Sequence, residues 1–523
     1  MKKKMKRLVS LALAMVMIFT MSLSVSAANV TVNDALNNHK FTAYQIFKGT
    51  QATDGDGALG DVEWGNGINN DAFLNALKAA EKLKPNFENC TTAADVAVAI
   101  GQFVSNSDNA KLVAKIATKH IKGNGTVLNT GTTELADGYY LIVDTSESVG
   151  NGNAYNASLL QVTKDININV KTDKPSVEKK VFENKKYTTD ATYGDGFNDV
   201  ADYNMGDSVK FHLIGTVPDM TYYDTYKYVF HDTLDAGFTA PEQGTIKVYL
   251  SDDKIVNVGT DTDITSYFTT NVEGQNITVS CTDLKKVDTV TKGKYILVEY
   301  SAVLNQNAVV GNPGNKNAVY LEYSNKPDQS GSGDNSTGNT VKDEVIVFTY
   351  EMEVNKVDGK NQGTKLEAEF KLKNAEGKYA VVNEEGKVTD WVDAEKDATV
   401  LKSTGGVFTV TGLDDGTYTL VETKAPAGYN KPEKGFEVTI TATTANGHNG
   451  TDQALTELKV KVNEGKDTTG DKDTGKVSIT IENNKGAVLP ETGGVGTTIF
   501  YVLGAVLVVG GVILLVVRKR MNK

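Results

Sequence analysis

Val345-Ile346-Val347-Phe348-Thr349-Tyr350-Glu351-Met352-Glu353-Val354-Asn355-Lys356-Val357-Asp358 alternates with the period of a β-strand. Ile346, Phe348, Tyr350, Met352 and Val354 fall on one face, and Lys356 continues it. Thr349, Glu351, Glu353 and Asn355 fall on the other and suit solvent. An amine on an otherwise apolar face is chemically out of place, because a buried charge is costly unless it is paired or lost. Strand-like runs recur downstream at Phe370-Lys371-Leu372, Val407 to Thr411, Tyr418 to Val421 and Val477 to Glu482. They define a strand-rich unit over 345–487.

The same reading extends upstream. Val209-Lys210-Phe211-His212-Leu213, Ile246-Lys247-Val248-Tyr249-Leu250 and Tyr295 to Val303 predict a second β-sandwich over 171–326. The polar stretch from Ser330 to Gly338 predicts a Gly/Ser-rich linker over 327–344. Residues 29–170 hold most of the helical periodicity, at Asp71 to Leu83, Thr92 to Val104 and Ala110 to Ile121. Strand-like runs at Tyr139 to Val143 and Ala157 to Thr163 flank these helices. The expected fold is mainly β: tandem immunoglobulin-like β-sandwiches preceded by a mixed α+β unit.

Composition narrows the function. The 523 residues carry 66 carboxylates against 54 Lys plus Arg, so no basic face for nucleic acid is expected. Arg7, Arg518 and Arg520 are the only arginines, so the body lacks the bidentate forks that read phosphate. Cys90 and Cys281 lie far apart and predict no disulfide framework. The five histidines lack zinc spacing, and no nucleophile elbow or phosphate loop is present. Asp144-Thr145-Ser146-Glu147-Ser148 imitates a Ser-containing metal motif, but no alternating β/α repeat surrounds it. No metal, cofactor or enzymatic activity toward other molecules is expected.

The ends are export and anchoring signals. Lys2, Lys3, Lys4, Lys6 and Arg7 precede an apolar stretch and the small residues Val25-Ser26-Ala27. This pattern predicts a signal peptide over 1–27, cleaved after Ala27. At the other end, Ile499 to Val517 is long enough to span a bilayer, and the Arg518-Lys519-Arg520 that follows it would stay cytoplasmic. Leu489-Pro490-Glu491-Thr492-Gly493 stands just before it, so 489–523 resembles the cell-wall sorting signal of Gram-positive surface proteins. The resemblance implies that a sortase attacks the Thr492 carbonyl, releases Gly493 onward and passes the acyl group to an amine. The membrane helix is then a temporary hold.

Two further sets of motifs carry a family resemblance. The third unit contains Val354-Asn355-Lys356-Val357-Asp358, a segment from Gly416 through Glu422 to Tyr429, and Ile481-Glu482-Asn483-Asn484. The second contains Lys174-Pro175-Ser176-Val177-Glu178-Lys179-Lys180, Tyr228 to Leu234, and Val319 to Asn325. Both resemble the sandwiches of sortase-assembled Gram-positive backbone pilins, the third being similar to a collagen-adhesin B-type domain. The resemblance implies an internal amide between a lysine and an asparagine, promoted by a buried acid. A buried lysine has its pKa lowered and becomes a nucleophile, and a buried carboxyl can stay protonated and move protons. The implied residues are Lys356, Asn483 and Glu422 in the third unit, and Lys179, Asn325 and Asp232 in the second. Asn317 lies on the same strand face as Asn325 and is the alternative electrophile. Lys180 shares a mixed face with Glu178 and Phe182, so Lys179 is preferred.

A backbone pilin also donates a lysine to its neighbour. Lys171 aligns best, with Lys174 second, although the Tyr-Pro-Lys motif of the family is missing. The expected partners are sortase, further copies of the chain, peptidoglycan and host or matrix ligands. The expected function is the shaft subunit of a covalent pilus on the cell surface. The alternative is a monomeric wall-anchored adhesin or pilus tip.

Overall fold

The computed structural model describes residues 27–522, apart from 33–38, 52–57, 106, 129–130, 147–153, 156, 169–173, 185–190, 328–335, 447–453 and 487–494. All of the expected signal peptide but Ala27, and the sorting pentapeptide, therefore lie outside the described residues, as does Lys171.

In the first unit, strand Phe41–Gln51 lies between Leu59–Trp64 and Gly138–Asp144, and Ala157–Val162 extends the sheet. Alternation sends Tyr44, Ile46, Leu141 and Val143 toward the helices, and Phe41, Ala43, Tyr140 and Ile142 toward a small sheet on the other side. A register shift between Gln45 and Phe47 reverses the parity, so Phe47 joins the helical side. The helices are Asn70–Ala79, Ala93–Ile100 and Asp108–Thr118, with a short turn of helix at Lys84–Phe87. Thr92 and Asp95 close a capping box at the start of the second. The first ends earlier than the expected Leu83, and Pro85 opens the next turn instead.

The second unit is a sandwich of two sheets around one large core. One sheet carries Val177–Phe182, Ser208–Thr216 and Tyr295–Leu304 in neighbouring positions. The facing sheet carries Asp343–Phe348, Asn315–Ser324 and Tyr228–Leu234. The linker expected over 327–344 is corrected here. Thr337–Asn339 and Asp343–Phe348 both pair with Asn315–Ser324, so this end of the expected linker belongs to the second sandwich. The Gly/Ser part over 328–335 lies outside the described residues.

Asp343–Phe348 also joins the two sandwiches. Val345 and Val347 point into the second core, while Ile346 and Phe348 point into the third. After Thr349 the chain continues as Tyr350–Asp358, whose Tyr350, Met352 and Val354 stay in the third core. There Tyr350–Asp358 pairs with Val407–Leu413 on one side and runs parallel to the last strand, Lys476–Asn483, on the other. A second sheet containing Glu369–Lys373, Gly416–Lys424, Phe436–Thr444 and Leu455–Val462 covers the apolar face. The sandwiches also meet where Gly311 and Gly475 cross. A Cβ on Gly475 would lie 2.4 Å from the Gly311 nitrogen, and both residues have positive φ.

The first unit docks on the second through charge. Lys111, Lys115 and Lys119 recur one helical turn apart on Asp108–Thr118 and its cap. Lys111 pairs with Asp219, and Lys115 and Lys119 reach Asp224 at 2.6 and 2.7 Å. The only helix among the described residues long and apolar enough to cross a membrane is the C-terminal one, Val495–Met521.

Candidate functional site

The third core gathers Lys356, Glu422 and Asn483, all three buried. Lys356 and Asn483 come from neighbouring parallel strands, where Lys356 is in register with Ile481 and Asp358 with Asn483. The Lys356 Nζ contacts Asn483 Oδ1 and lies 3.3 Å from the Ile481 carbonyl oxygen. Glu422 enters from the facing sheet. Its Oε1 accepts from Asn483 Nδ2 at 2.7 Å, and its Oε2 stands 3.9 Å from Nζ without a hydrogen bond. Amine, amide and carboxyl thus form one buried cluster in which Asn483 touches both of the others.

Burial sets the protonation. It lowers the Lys356 amine to a pKa of about 8, the charge of Glu422 opposing this only in part. Burial also raises Glu422 above the ordinary carboxylate value, against the Asn483 hydrogen bond and the Lys356 charge. Both shifts favour a neutral amine beside a neutral acid.

The second core is arranged differently. Lys179, Asp232 and Asn317 are buried, and the lysine is fully enclosed. Lys179 Nζ donates to Asp232 Oδ1 at 2.6 Å, across the two sheets. Tyr300, from the sheet of Lys179, stands beside both. Its hydroxyl contacts Asp232 Oδ2, lies 3.3 Å from Lys179 Nζ and accepts from Asn317 Nδ2 at 2.7 Å. Burial lowers the Lys179 pKa to about 8, the attraction of Asp232 opposing it. Burial and the neighbouring Asp232 charge hold the Tyr300 phenol well above its usual 10.0.

The expectation of Asn325 is corrected. Its Oδ1 accepts from Ser336 Oγ at 2.6 Å, and its backbone carbonyl accepts from Tyr155 of the first unit at 2.7 Å. Asn317 and Asn325 share a strand face, but eight residues of strand separate them by about 26 Å. Register decides between them: Leu234, two residues beyond Asp232, pairs with Asn317. Lys180 is also buried, but its amine pairs with Asp199 and lies 4.4 Å over the Tyr193 ring. Lys174 is exposed, just ahead of Val177–Phe182.

Tyr300 was not singled out by the sequence. The available signal was parity, since it alternates with the buried Val298 and Ala302 and thus faces the same core as Lys179. The Asp144 motif is internally satisfied: Asp144 contacts His39 and accepts from Ser146 Oγ at 2.6 Å, while Ser148 lies outside the described residues. Asp202, Asp414 and Asp415 form a buried carboxylate group, with one ligand atom from each within 4.8 Å of the others. Cys90 and Cys281 are both buried and unbridged.

Two successive sandwiches, each with a buried lysine and a buried asparagine in its core, precede an apolar C-terminal helix in this mainly β chain. Family models match three parts of it. Residues 205–327 match the Gram-positive pilin backbone subunit 2, Cna-B-like domain. Residues 350–454 match the SpaA prealbumin-like fold domain, and 481–523 the LPXTG cell wall anchor motif. A curated relative, the trypsin-resistant surface T6 protein of Streptococcus pyogenes serotype M6, is 26% identical over 275 residues. That match covers 43% of this chain and 48% of the relative, so the chain spans about half the length of the curated relative it matches. The solved T6 backbone pilin of serotype M6 S. pyogenes, described as a modular three-domain structure, superposes with a TM-score of 0.51 at 17% identity. The superposition covers 89% of this chain and 100% of that one, and it shows a common fold. The group B streptococcus pilus 2b backbone protein is 25% identical over 55% of this chain and 97% of its own, with a TM-score of 0.39. Two segments of the chain thus match domain models of Gram-positive backbone pilins, and its C-terminal segment matches a cell-wall anchor.

Proposed function

We propose that this chain is the shaft subunit of a covalent surface pilus. Sortase joins Thr492 of one copy to a lysine of the next, and finally to peptidoglycan. The observation that carries this reading is the pair of buried lysine–amide sites and their position along the chain. Lys356 and Asn483 sit in the first and last strands of the third sandwich, 127 residues apart. An amide between them places nearly the whole sandwich inside a closed loop. Lys179 and Asn317 do the same for most of the second.

A subunit within a polymer is pulled at its acceptor lysine and at Thr492. Force entering near Lys171 or Lys174 would reach Lys179 within a few residues. It would cross to Asn317, run through Asp343–Phe348 to Lys356, and cross to Asn483 and the sorting motif. The folded interiors would stay off this path. Lys171 is the proposed acceptor and Lys174 the second choice. Internal amides form by attack of the lysine on the asparagine carboxamide carbon with loss of ammonia, and Glu422 or Asp232 takes protons from the amine. The amide is uncharged, which removes the cost of an isolated buried ammonium.

An SDS-resistant high-molecular-weight ladder of wall extracts tests the shaft reading. A single band would favour the monomeric adhesin. Host or matrix ligands remain a proposal of the same kind, tested by binding of purified pili to matrix proteins.

A further inference from the structure

We propose that Tyr300 is a catalytic residue of the second-sandwich amide, carrying a proton from Lys179 to the departing nitrogen of Asn317. This rests on the internal-amide reading above and adds a residue to it.

The two cores solve one chemical problem with different parts. Forming the amide takes two protons from the lysine ammonium and delivers one to the leaving Nδ2. In the third core one carboxyl faces both nitrogens, with Oε1 on Nδ2 and Oε2 toward Nζ. In the second core the acid is an aspartate, one methylene shorter. Its Oδ1 is taken by Lys179 Nζ and its Oδ2 by Tyr300, and its path to Asn317 runs through the Tyr300 hydroxyl.

The balance follows from those contacts. One ammonium proton passes from Nζ to Asp232 Oδ1, leaving a neutral amine and a carboxylic acid. Neutral Asp232 is a weaker acceptor, so the Tyr300 O–H is free to turn toward Asn317. The Nζ lone pair attacks the Asn317 carboxamide carbon and gives a tetrahedral adduct. A second proton leaves Nζ for the Tyr300 oxygen, 3.3 Å away, as the phenol's own proton moves to Nδ2, 2.7 Å away. The C–Nδ2 bond breaks and ammonia departs. Nζ keeps one hydrogen in the new amide, Tyr300 ends as a phenol, and Asp232 ends protonated. No outside reactant is needed. The raised pKa of the phenol suits this role, because the hydroxyl keeps a proton to give.

The test is Tyr300→Phe in the full chain, made by cell-free synthesis and sampled over time. Tryptic peptides joined through Lys179–Asn317 and through Lys356–Asn483 are quantified by mass spectrometry. The expected result is a loss or at least a tenfold slowing of the Lys179–Asn317 peptide, with the Lys356–Asn483 peptide forming at the wild-type rate. Formation of the Lys179–Asn317 peptide at the wild-type rate in Tyr300→Phe overturns the proposal. If the wild-type chain itself lacks that peptide, the amide reading of the second sandwich fails, and the Tyr300 role with it. A fluorinated tyrosine at position 300 keeps the shape and shifts only the phenol's acidity, which separates proton transfer from packing. The proposal expects the rate and its pH profile to move with that acidity. An unchanged rate and profile overturn it even where Tyr300→Phe misfolds.

Discussion

Glu422→Gln keeps the size of the side chain but removes its capacity to exchange protons. The third-sandwich amide should then fail to form, so that the secreted chain keeps one more ammonia relative to its own sequence mass than wild type does. The mechanical consequence follows from the strand positions. Lys356 and Asn483 lie on adjacent parallel strands, so an amide between them holds the 127-residue separation closed. Without it, pulling from the two ends unravels that segment. At about 3.3–3.6 Å per extended residue, it releases about 420–460 Å of chain. Single-molecule pulling should therefore show no extension from the wild-type third sandwich and one step of about that length from Glu422→Gln. Loop-closure reasoning developed for disulfides gives about 5 kcal/mol for a loop of this size, a drop of roughly 15 °C for a domain of this length. A wild-type step of the same length, or a variant that still resists extension, would refute the reasoning.

Other outcomes follow from the same contacts. Asn317→Ala should remove the Lys179 cross-linked peptide, while Asn325→Ala leaves it in place; peptide mapping distinguishes them, and the reverse pattern would restore Asn325. The first unit's docking should weaken in acid. Burial raises the Asp224 pKa, but Lys115 and Lys119 outweigh it and hold the group at about 2, below the usual carboxylate range. A depressed carboxylate stabilises docking above about pH 4, and that contribution fades as pH falls toward 2. Hydrogen exchange of Asp108–Thr118 should speed up across that window, and Asp224→Asn should shrink the pH step, leaving the part that Asp219 and Lys111 contribute.

Much of this was legible in the sequence because strand alternation is a strong constraint. It placed Lys356 on the face of Tyr350, Met352 and Val354, and the fold buries all four together. Alternation assigns a face but not a position along the strand. Asn317 and Asn325 satisfy it equally, and only the pairing of Tyr228–Leu234 with Asn315–Ser324 separates them. Tyr300 escaped notice for a related reason: an aromatic residue among valines reads as packing until its hydroxyl is seen between three polar groups. The end of the expected linker, Thr337–Asn339 and Asp343 onward, pairs as strand because composition reports solubility, while strand pairing depends on what lies alongside. The helix after Asn70 ended early because its boundary depends on Pro85 and the turn before it.

The central claim is that copies are joined head to tail through Thr492. Mass spectrometry of peptides released from purified wall-attached material tests it most directly. The account predicts peptides in which the Thr492 carbonyl is bonded to the ε-amine of Lys171, or of Lys174, from another copy. Finding Thr492 bonded only to cell-wall peptide, with every Lys171 and Lys174 unmodified, would contradict it.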